Sequence, residues 1–252
     1  MKRSPPDVRP KEIQTGETLR FVLESLPAAG LRILEVGCGG GELAKELQER
    51  GHEIVAIDSA ADRVEEARRR GVDPRLANFP DFGGADFDAV LFTRSLHHIR
   101  PLGTAVERAR ELLKPAGRLI VEDFAFGEAT EATATWFYRL LRLLEVCGAL
   151  APAEDSFGRK LLNGGGEFAL WREHAHEINS PREVADALGR RFEILEMKPA
   201  PYLYRYVADM AADTDAGGAT VASVLALEEA TGRLNVEHLI GRRFVAVPKA
   251  HD

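Results

Sequence analysis

The sequence predicts an α/β fold, a seven-stranded, mostly parallel sheet with helices on both faces, and three features predict it. Short apolar strands alternate with amphipathic helices through the first half of the chain, a glycine cluster follows the first strand, and an acidic residue closes the second. Strands joined by helices at this spacing form right-handed βαβ units, and the resulting parallel sheet is covered on both faces. Ligands of such sheets sit outside the carboxyl ends of the strands.

Residues 1–11 are charged and proline-rich and read as a flexible arm. Residues 12–26 place Ile13, Leu19, Phe21, Val22, Leu23 and Leu26 at helical spacing, and Pro27 and Gly30 end that helix. Arg32-Ile33-Leu34-Glu35-Val36 is a strand that runs into Gly37-Cys38-Gly39-Gly40-Gly41. A helix over 42–50, with Leu43, Ala44 and Leu47 on one face, stops at Gly51. Glu53–Asp58 is the second strand, and a charged helix over 60–70 is closed by Gly71. A weakly marked strand lies near 74–78, and Phe87–Phe92 is a buried one. The helix after Pro101 has Val106, Ala109, Leu112 and Leu113 as its apolar side, and the turn Lys114-Pro115-Ala116-Gly117 leads into the strand Arg118–Glu122.

After Asp123 the alternation breaks. Residues 128–147 read as a long helix and Gly164-Gly165-Gly166 as a loop. Ser180-Pro181-Arg182-Glu183 opens a helix with Glu183 at the capping-box position. Two late strands lie at Phe192–Met197 and Phe244–Val247, and Val221–Glu229 is helical. Tyr202, Tyr204 and Tyr206 alternate as on a strand face. The expected organisation is one domain over 12–252, with 126–180 as a helical lid inserted after the fifth strand.

At 252 residues the chain can form one large α/β domain. Forty acidic against 33 basic residues give a formal charge of −7, which does not favour a broad grip on phosphate backbones, so nucleic acid is not the expected partner. Two isolated cysteines, Cys38 and Cys147, make neither a disulfide framework nor a zinc set and fit a reducing cytoplasm. The first residues lead into no apolar run, and no stretch reaches the ~20 apolar residues of a membrane span. A cytoplasmic protein without membrane contact is expected, and a homodimer is compatible with it.

A strand, a glycine loop and a helix together form a general nucleotide-binding device, because glycines admit close backbone approach and the helix start offers free N–H groups. The details exclude some ligands. A dinucleotide fingerprint read from Gly37 would need its third glycine at position 42, which is Glu42. A carboxylate at that helix start repels a pyrophosphate. No Gly-Lys-Ser/Thr follows, so there is no P-loop either. The loop fits a nucleoside without phosphates. Asp58 lies about 20 residues on, where an acid accepts ribose hydroxyls.

At these residues the chain resembles class I S-adenosylmethionine-dependent methyltransferases. Ile33–Gly41 is similar to their motif I, and Phe87–Ile99, with its Leu96-His97-His98 ending, is similar to their motif IV. Leu113–Leu119 resembles the turn before their fifth strand, with Ala116 in place of a glycine. The resemblance covers about residues 15–125 and implies a Rossmann-like fold with S-adenosylmethionine as cofactor. It implies that Glu35, Gly37, Cys38, Gly39 and Gly41 hold the cofactor, with Asp58 and Ser59 at the ribose, Asn78 and Phe79 at the adenine, and Thr93 alongside.

Methyl transfer from a sulfonium is an in-line displacement on a carbon that the cofactor has already activated. The protein must position the acceptor, exclude water and see that the acceptor loses its proton. His97 and His98 are the candidate bases, His98 narrowly preferred; the rival reading is that they cap the next helix. Arg94, Ser95 and the acids Glu122 and Asp123 are candidate acceptor contacts, as are Trp136, His174, His176 and Tyr204 further along. No acidic metal triad is visible, so no metal is expected. Arg68-Arg69-Arg70 reads as a solvated helix end. The expected reaction is methylation of an oxygen or nitrogen on a small molecule. A tRNA or protein acceptor, or a non-catalytic cofactor-binding partner, stays open at this point.

Overall fold

The computed structural model describes residues 8–151, 156–166, 168–175 and 178–250. The sheet half of the chain runs α1 (Pro10–Ser25), β1 (Arg32–Val36), α2 (Glu42–Glu49), β2 (Glu53–Asp58), α3 (Ala61–Arg69), β3 (Arg75–Leu76), β4 (Phe87–Thr93), α4 (Leu102–Leu112) and β5 (Leu113–Phe124). There follow α5 (Glu131–Val146), α6 (Phe157–Asn163), α7 (Ala169–Ala175), α8 (Pro181–Arg191), β6 (Phe192–Ala200), α9 (Tyr204–Ala208), α10 (Asp215–Leu234) and β7 (Gly241–Pro248). Short 3-10 turns lie at Leu96–His98, Phe126–Glu128 and Val236–His238.

The chain divides into two compact units. The sheet unit takes residues 18–124, 178–198 and 242–252, and the helical unit takes 1–17, 125–177 and 199–241. The helical unit therefore takes 199–241 as well as 125–177, and the last residues of the lid segment 126–180 expected from sequence, 178–180, fall in the sheet unit.

In the sheet unit the strand order is β3-β2-β1-β4-β5-β7-β6. The pairs β3–β2, β2–β1, β1–β4 and β4–β5 are parallel, and antiparallel pairing enters at the β7–β6 edge. Alternation of side chains sends Ile33 to one face and Leu34 to the other. On Ile33's face lie Leu19, Phe21 and Val22 of α1 with Leu43 and Leu47 of α2. On Leu34's face lie Val106, Ala109 and Leu112 of α4 with Val184 and Leu188 of α8. Burial on both faces is why these strands are continuous apolar runs. The Ser180–Glu183 capping box forms as expected, with both reciprocal hydrogen bonds.

Several boundaries differ from the sequence expectation. Residues 1–7 of the expected arm lie outside the described residues, and α1 starts at Pro10, a residue whose fixed φ suits a first helical turn. The third strand shrinks to Arg75–Leu76. β5 starts at Leu113, not after the expected turn. Its pairing with β4 jumps from Phe87↔Leu113 to Ala89↔Arg118, so Lys114–Gly117 are absorbed as an irregularity within the strand.

The helical unit packs around an aromatic cluster. Phe157 touches Phe126 and Trp171, each at 5.1 Å between ring centroids, and Tyr206 at 5.2 Å. The tyrosine alternation is not a strand: Tyr204 and Tyr206 lie in α9, and Tyr202 lies just before it. Tyr202 and Tyr206 stand four residues apart on a helical turn, and their rings meet at 5.7 Å. The physical cause comes from α10. Glu228, fully buried, accepts the backbone N–H groups of Tyr202 (2.6 Å), Leu203 (3.0 Å) and Tyr204 (3.0 Å). Those N–H groups are the unpaired donors of a helix start, and one carboxylate from a distant helix satisfies all three.

Candidate functional site

The glycine loop leaves β1 at the carboxyl edge of the sheet. The N–H groups of Gly37 and Cys38 donate to the Ile57 carbonyl at 2.8 and 3.0 Å, and that of Gly39 donates to Asp58 Oδ2 at 2.9 Å. Three loop glycines have positive φ: +74° at Gly37, +53° at Gly39 and +81° at Gly41. A Cβ at Gly37 would stand 2.6 Å from Ser95 Cβ, and one at Gly41 would stand 2.9 Å from Ala67 Cβ. Both are therefore required by close packing as well as by backbone conformation. Nothing lies within 4 Å of the corresponding position at Gly39, which faces open space. The loop is thus tied to the end of β2 on one side and open on the other.

Acids surround it. Glu35 is buried, and its Oε2 has no hydrogen-bond partner. Burial pushes its pKa up to about 8, opposed by Arg94 and assisted by the negative charges of Glu42 and Asp58. The Cys38 thiol, also buried, is pushed up to about 12, chiefly by desolvation and then by Glu35 and Asp58, so it stays protonated and is no nucleophile at neutral pH. Asp58 Oδ1 accepts the N–H of Ala60, the residue that caps the start of α3; exposed Ser59 makes no cap there. Each Asp58 oxygen keeps acceptor capacity for a further donor.

Arg70 is a residue that sequence reasoning misplaced. It is half-buried, not a solvated helix end. Its guanidinium bonds the Gly40 carbonyl and pairs with Glu42 at 2.9 Å and Glu66 at 3.2 Å. It braces the loop from behind and pulls Glu66 below the usual carboxylate range, burial opposing, with Arg63 assisting. The Glu66 spacing of four residues was the available signal.

The ends of β4 and β5 form a second cluster. Thr93, the last residue of β4, is buried. Ser95 donates its hydroxyl to the Val36 carbonyl at 2.6 Å and packs on Gly37, so it locks the loop. His97 is buried, with Nδ1 2.6 Å from Asp123 Oδ1 and its backbone N–H on Asp123 Oδ2 at 3.0 Å. His98 is exposed, its ring 4.0 Å from that of His97. Asn179, which the sequence did not single out, fixes this turn. Its side-chain amide donates to the carbonyls of Leu96 and Ile99, both at 3.0 Å, and its backbone N–H donates to the His97 carbonyl at 2.8 Å. Asp123 is therefore buried and engaged with the histidine turn. Glu122 is engaged elsewhere: Oε1 accepts Arg243 Nε and Nη2 at 2.8 and 2.6 Å, and Oε2 accepts the Thr18 hydroxyl at 2.6 Å.

Of the other expected site residues, Asn78 is exposed just after β3, and Phe79 is buried edge-on against Phe92, with centroids 5.2 Å apart. Trp136 is half-buried on α5 beside His238, at 5.8 Å between ring centroids. Tyr204 is 1% exposed within the helical unit, an interior place in contrast to the strand face expected. His174 lies in α7, and His176 falls outside the described residues. Among the described residues no group of three or more His, Cys, Asp or Glu is placed to hold a metal ion, and no helix is long and apolar enough to cross a membrane.

A doubly wound sheet whose first turn carries open glycines and whose second strand ends in an acid defines a nucleoside-binding, Rossmann-like protein. Residues 10–153 match the family described as "Methyltransferase domain", and the chain belongs to the class I S-adenosylmethionine-dependent methyltransferases. It is 36% identical over 184 residues to the ubiquinone biosynthesis O-methyltransferase of Xylella fastidiosa, covering 69% of this chain and 70% of that one. It is 39% identical over 126 residues to the protein of the same name from Xanthomonas oryzae and spans 52% of that protein's length. Among solved structures, the N-methyltransferase NodS from Bradyrhizobium japonicum, in complex with S-adenosyl-L-homocysteine, has the same fold. Its TM-score is 0.53 at 13% identity, covering 96% of this chain and 88% of that one. The [4+2]-cyclase SpnF is similar, with a TM-score of 0.56 at 18% identity over 93% of this chain and 82% of that one.

Proposed function

We propose that this enzyme transfers the methyl group of S-adenosylmethionine to a hydroxyl oxygen on a small, partly apolar acceptor. The observation that carries the cofactor reading is the cradle itself: an open Gly39 whose N–H bonds Asp58, beside a buried Glu35 oxygen without a partner. These residues fit a nucleoside with hydroxyls and no phosphates. In this reading Asp58 accepts the ribose hydroxyls, Asn78 and Phe79 flank the adenine, and Thr93 and the loop glycines wall the site. When bound, the cofactor supplies an electrophilic methyl on sulfur, and S-adenosylhomocysteine is the leaving product. The relatives named O-methyltransferases favour oxygen over nitrogen as the acceptor atom. The two free cysteines, Cys38 buried and Cys147 exposed, support a reducing compartment.

His98 is the proposed base, because it is the exposed imidazole on a turn pinned by Asp123, Asn179 and Ser95. His97 acts through it, as a positioning residue held by Asp123. Replacing His98 by Asn is expected to lower kcat by about a hundredfold and to remove the acid limb of the pH–rate profile. An unchanged profile would return His98 to a structural role.

The cofactor reading is tested by calorimetric titration with S-adenosylhomocysteine. Asp58→Ala is expected to weaken binding by about 2 kcal/mol, roughly thirtyfold, because buried ribose hydroxyls lose a charged acceptor. Equal affinities of the two proteins would remove Asp58 from the site. A screen with labelled cofactor against phenols, amines, carboxylates and tRNA then assigns the acceptor. Turnover confined to tRNA would overturn the small-molecule reading.

A further inference from the structure

The helical unit carries an apolar projection beside a groove, and neither is used by the reaction proposed above. The projection is the end of α10 and the turn after it, where Leu234 is 91% exposed and Val236 54%. Single exposed aliphatic residues are common on protein surfaces. These two are distinguished by being held in place. The Asn235 N–H donates to the Thr231 carbonyl at 2.9 Å, and Asn235 Oδ1 accepts the Glu237 N–H at 3.1 Å. Gly232 lies so close to Leu239 that a Cβ there would stand 2.5 Å from Leu239 Cδ2. The Thr133 hydroxyl donates to the Glu237 carbonyl at 3.2 Å and ties the turn to the start of α5.

The groove lies on that same part of α5. Glu131, Ala132, Thr135, Trp136 and Arg139 line about 490 Å³ of it, and Trp136, its aromatic wall, meets His238 of the turn at 5.8 Å between ring centroids. Charges of both signs frame the two features. Glu131 and Arg139 stand in the groove, while Arg233 and Glu237 flank the projection. All four are exposed, and among the described residues none of them makes an ion pair. We propose that a second copy of this chain occupies the groove, with Leu234 of each copy seated against Trp136 of the other about a twofold axis. Projection and groove are neighbours on one surface, so reciprocal insertion closes a dimer and does not propagate a fibre. The same docking sets Arg233 against Glu131 and Glu237 against Arg139 across the axis, a pattern complementary to itself. An anionic lipid surface suits this face less well, because its rim carries acids as well as bases and the chain has a formal charge of −7. With one aliphatic anchor and one aromatic wall per copy the contact is small, which places the dimer at a Kd on the order of 10 μM.

The test is sedimentation velocity of the full chain between about 1 and 100 μM, where a dimer of this strength goes from mostly dissociated to mostly formed. Leu234→Asp removes the anchor at an exposed position and leaves the core untouched, so it should weaken the dimer by at least about tenfold. Arg139→Glu sets like charges together across the axis and should do the same. Adding Glu237→Arg to Arg139→Glu restores the opposite signs and should return the Kd to within about threefold of wild type. Wild-type protein that stays monomeric throughout would overturn the proposal. So would a dimer indifferent to Leu234→Asp, or a double charge reversal that rescues nothing. Monomeric protein that instead pellets with vesicles of phosphatidylglycerol and phosphatidylcholine, and loses this with Leu234→Asp, would assign the face to lipid and overturn it as well.

Discussion

Replacing Arg243 by Met should destabilise the protein by about 3–5 kcal/mol, seen as a large drop in the urea midpoint. Arg243 lies in β7, almost fully buried, and donates two hydrogen bonds to Glu122 Oε1. Its guanidinium also stacks 4.7 Å from the Phe21 ring centroid. Methionine keeps most of the apolar contact but strands a buried carboxylate. The Thr18 hydroxyl on the other Glu122 oxygen cannot replace a full charge. Taking both ions out together removes the stranded charge, so Arg243→Met with Glu122→Leu should regain most of the loss. A double variant no more stable than the single one would show that packing, not charge, sets the cost.

Glu228→Gln should cost about 1–3 kcal/mol at pH 5, because an amide presents an N–H₂ group to backbone N–H donors that need acceptors. The pH dependence is the sharper signature. Burial raises Glu228 to about 7, outweighing the three backbone N–H groups and the nearby charge of Arg205. The folded protein therefore holds this proton between the ordinary carboxylate range and about pH 7, where the unfolded chain has lost it. Stabilisation from the raised group is complete at low pH and disappears as pH climbs through that window, a change of roughly 3 kcal/mol. The glutamine variant cannot titrate, so its deficit relative to wild type should shrink between pH 5 and pH 8. A deficit independent of pH would mean that Glu228 is ionised throughout.

The sheet and the glycine turn after β1 were legible in the sequence because local rules and tertiary packing agree there. Gly37 and Gly41 have no room for a side chain and adopt positive φ, so motif and structure impose one demand. β1, β2 and β4 are apolar throughout because both their faces are covered. Legibility fails where a distant residue decides. The spacing of Tyr202, Tyr204 and Tyr206 mimics a strand, and only Glu228, on α10, turns the segment into a helix start. Arg70 sits in a charge run that looks solvated, and its grip on Gly40 appears only when the loop folds back towards α3. Asn179 carries no signal at all, since its three donors serve carbonyls about 80 residues earlier in the chain. The acceptor side stays hard to read for a chemical reason: a displacement on an activated methyl imposes geometry and proton removal, not a particular set of side chains.

The strand order bears on how the protein is made. β7 lies between β5 and β6, so two strands already synthesised have no neighbour on that side until 241–248 emerge from the ribosome. The same late segment carries Arg243, which pairs with Glu122. A nascent chain thus holds a gap in its sheet, and Glu122 waits for Arg243, until translation has passed this strand. Such unfilled edges invite pairing with other chains, which makes the closing insertion the step at which a chaperone would matter most.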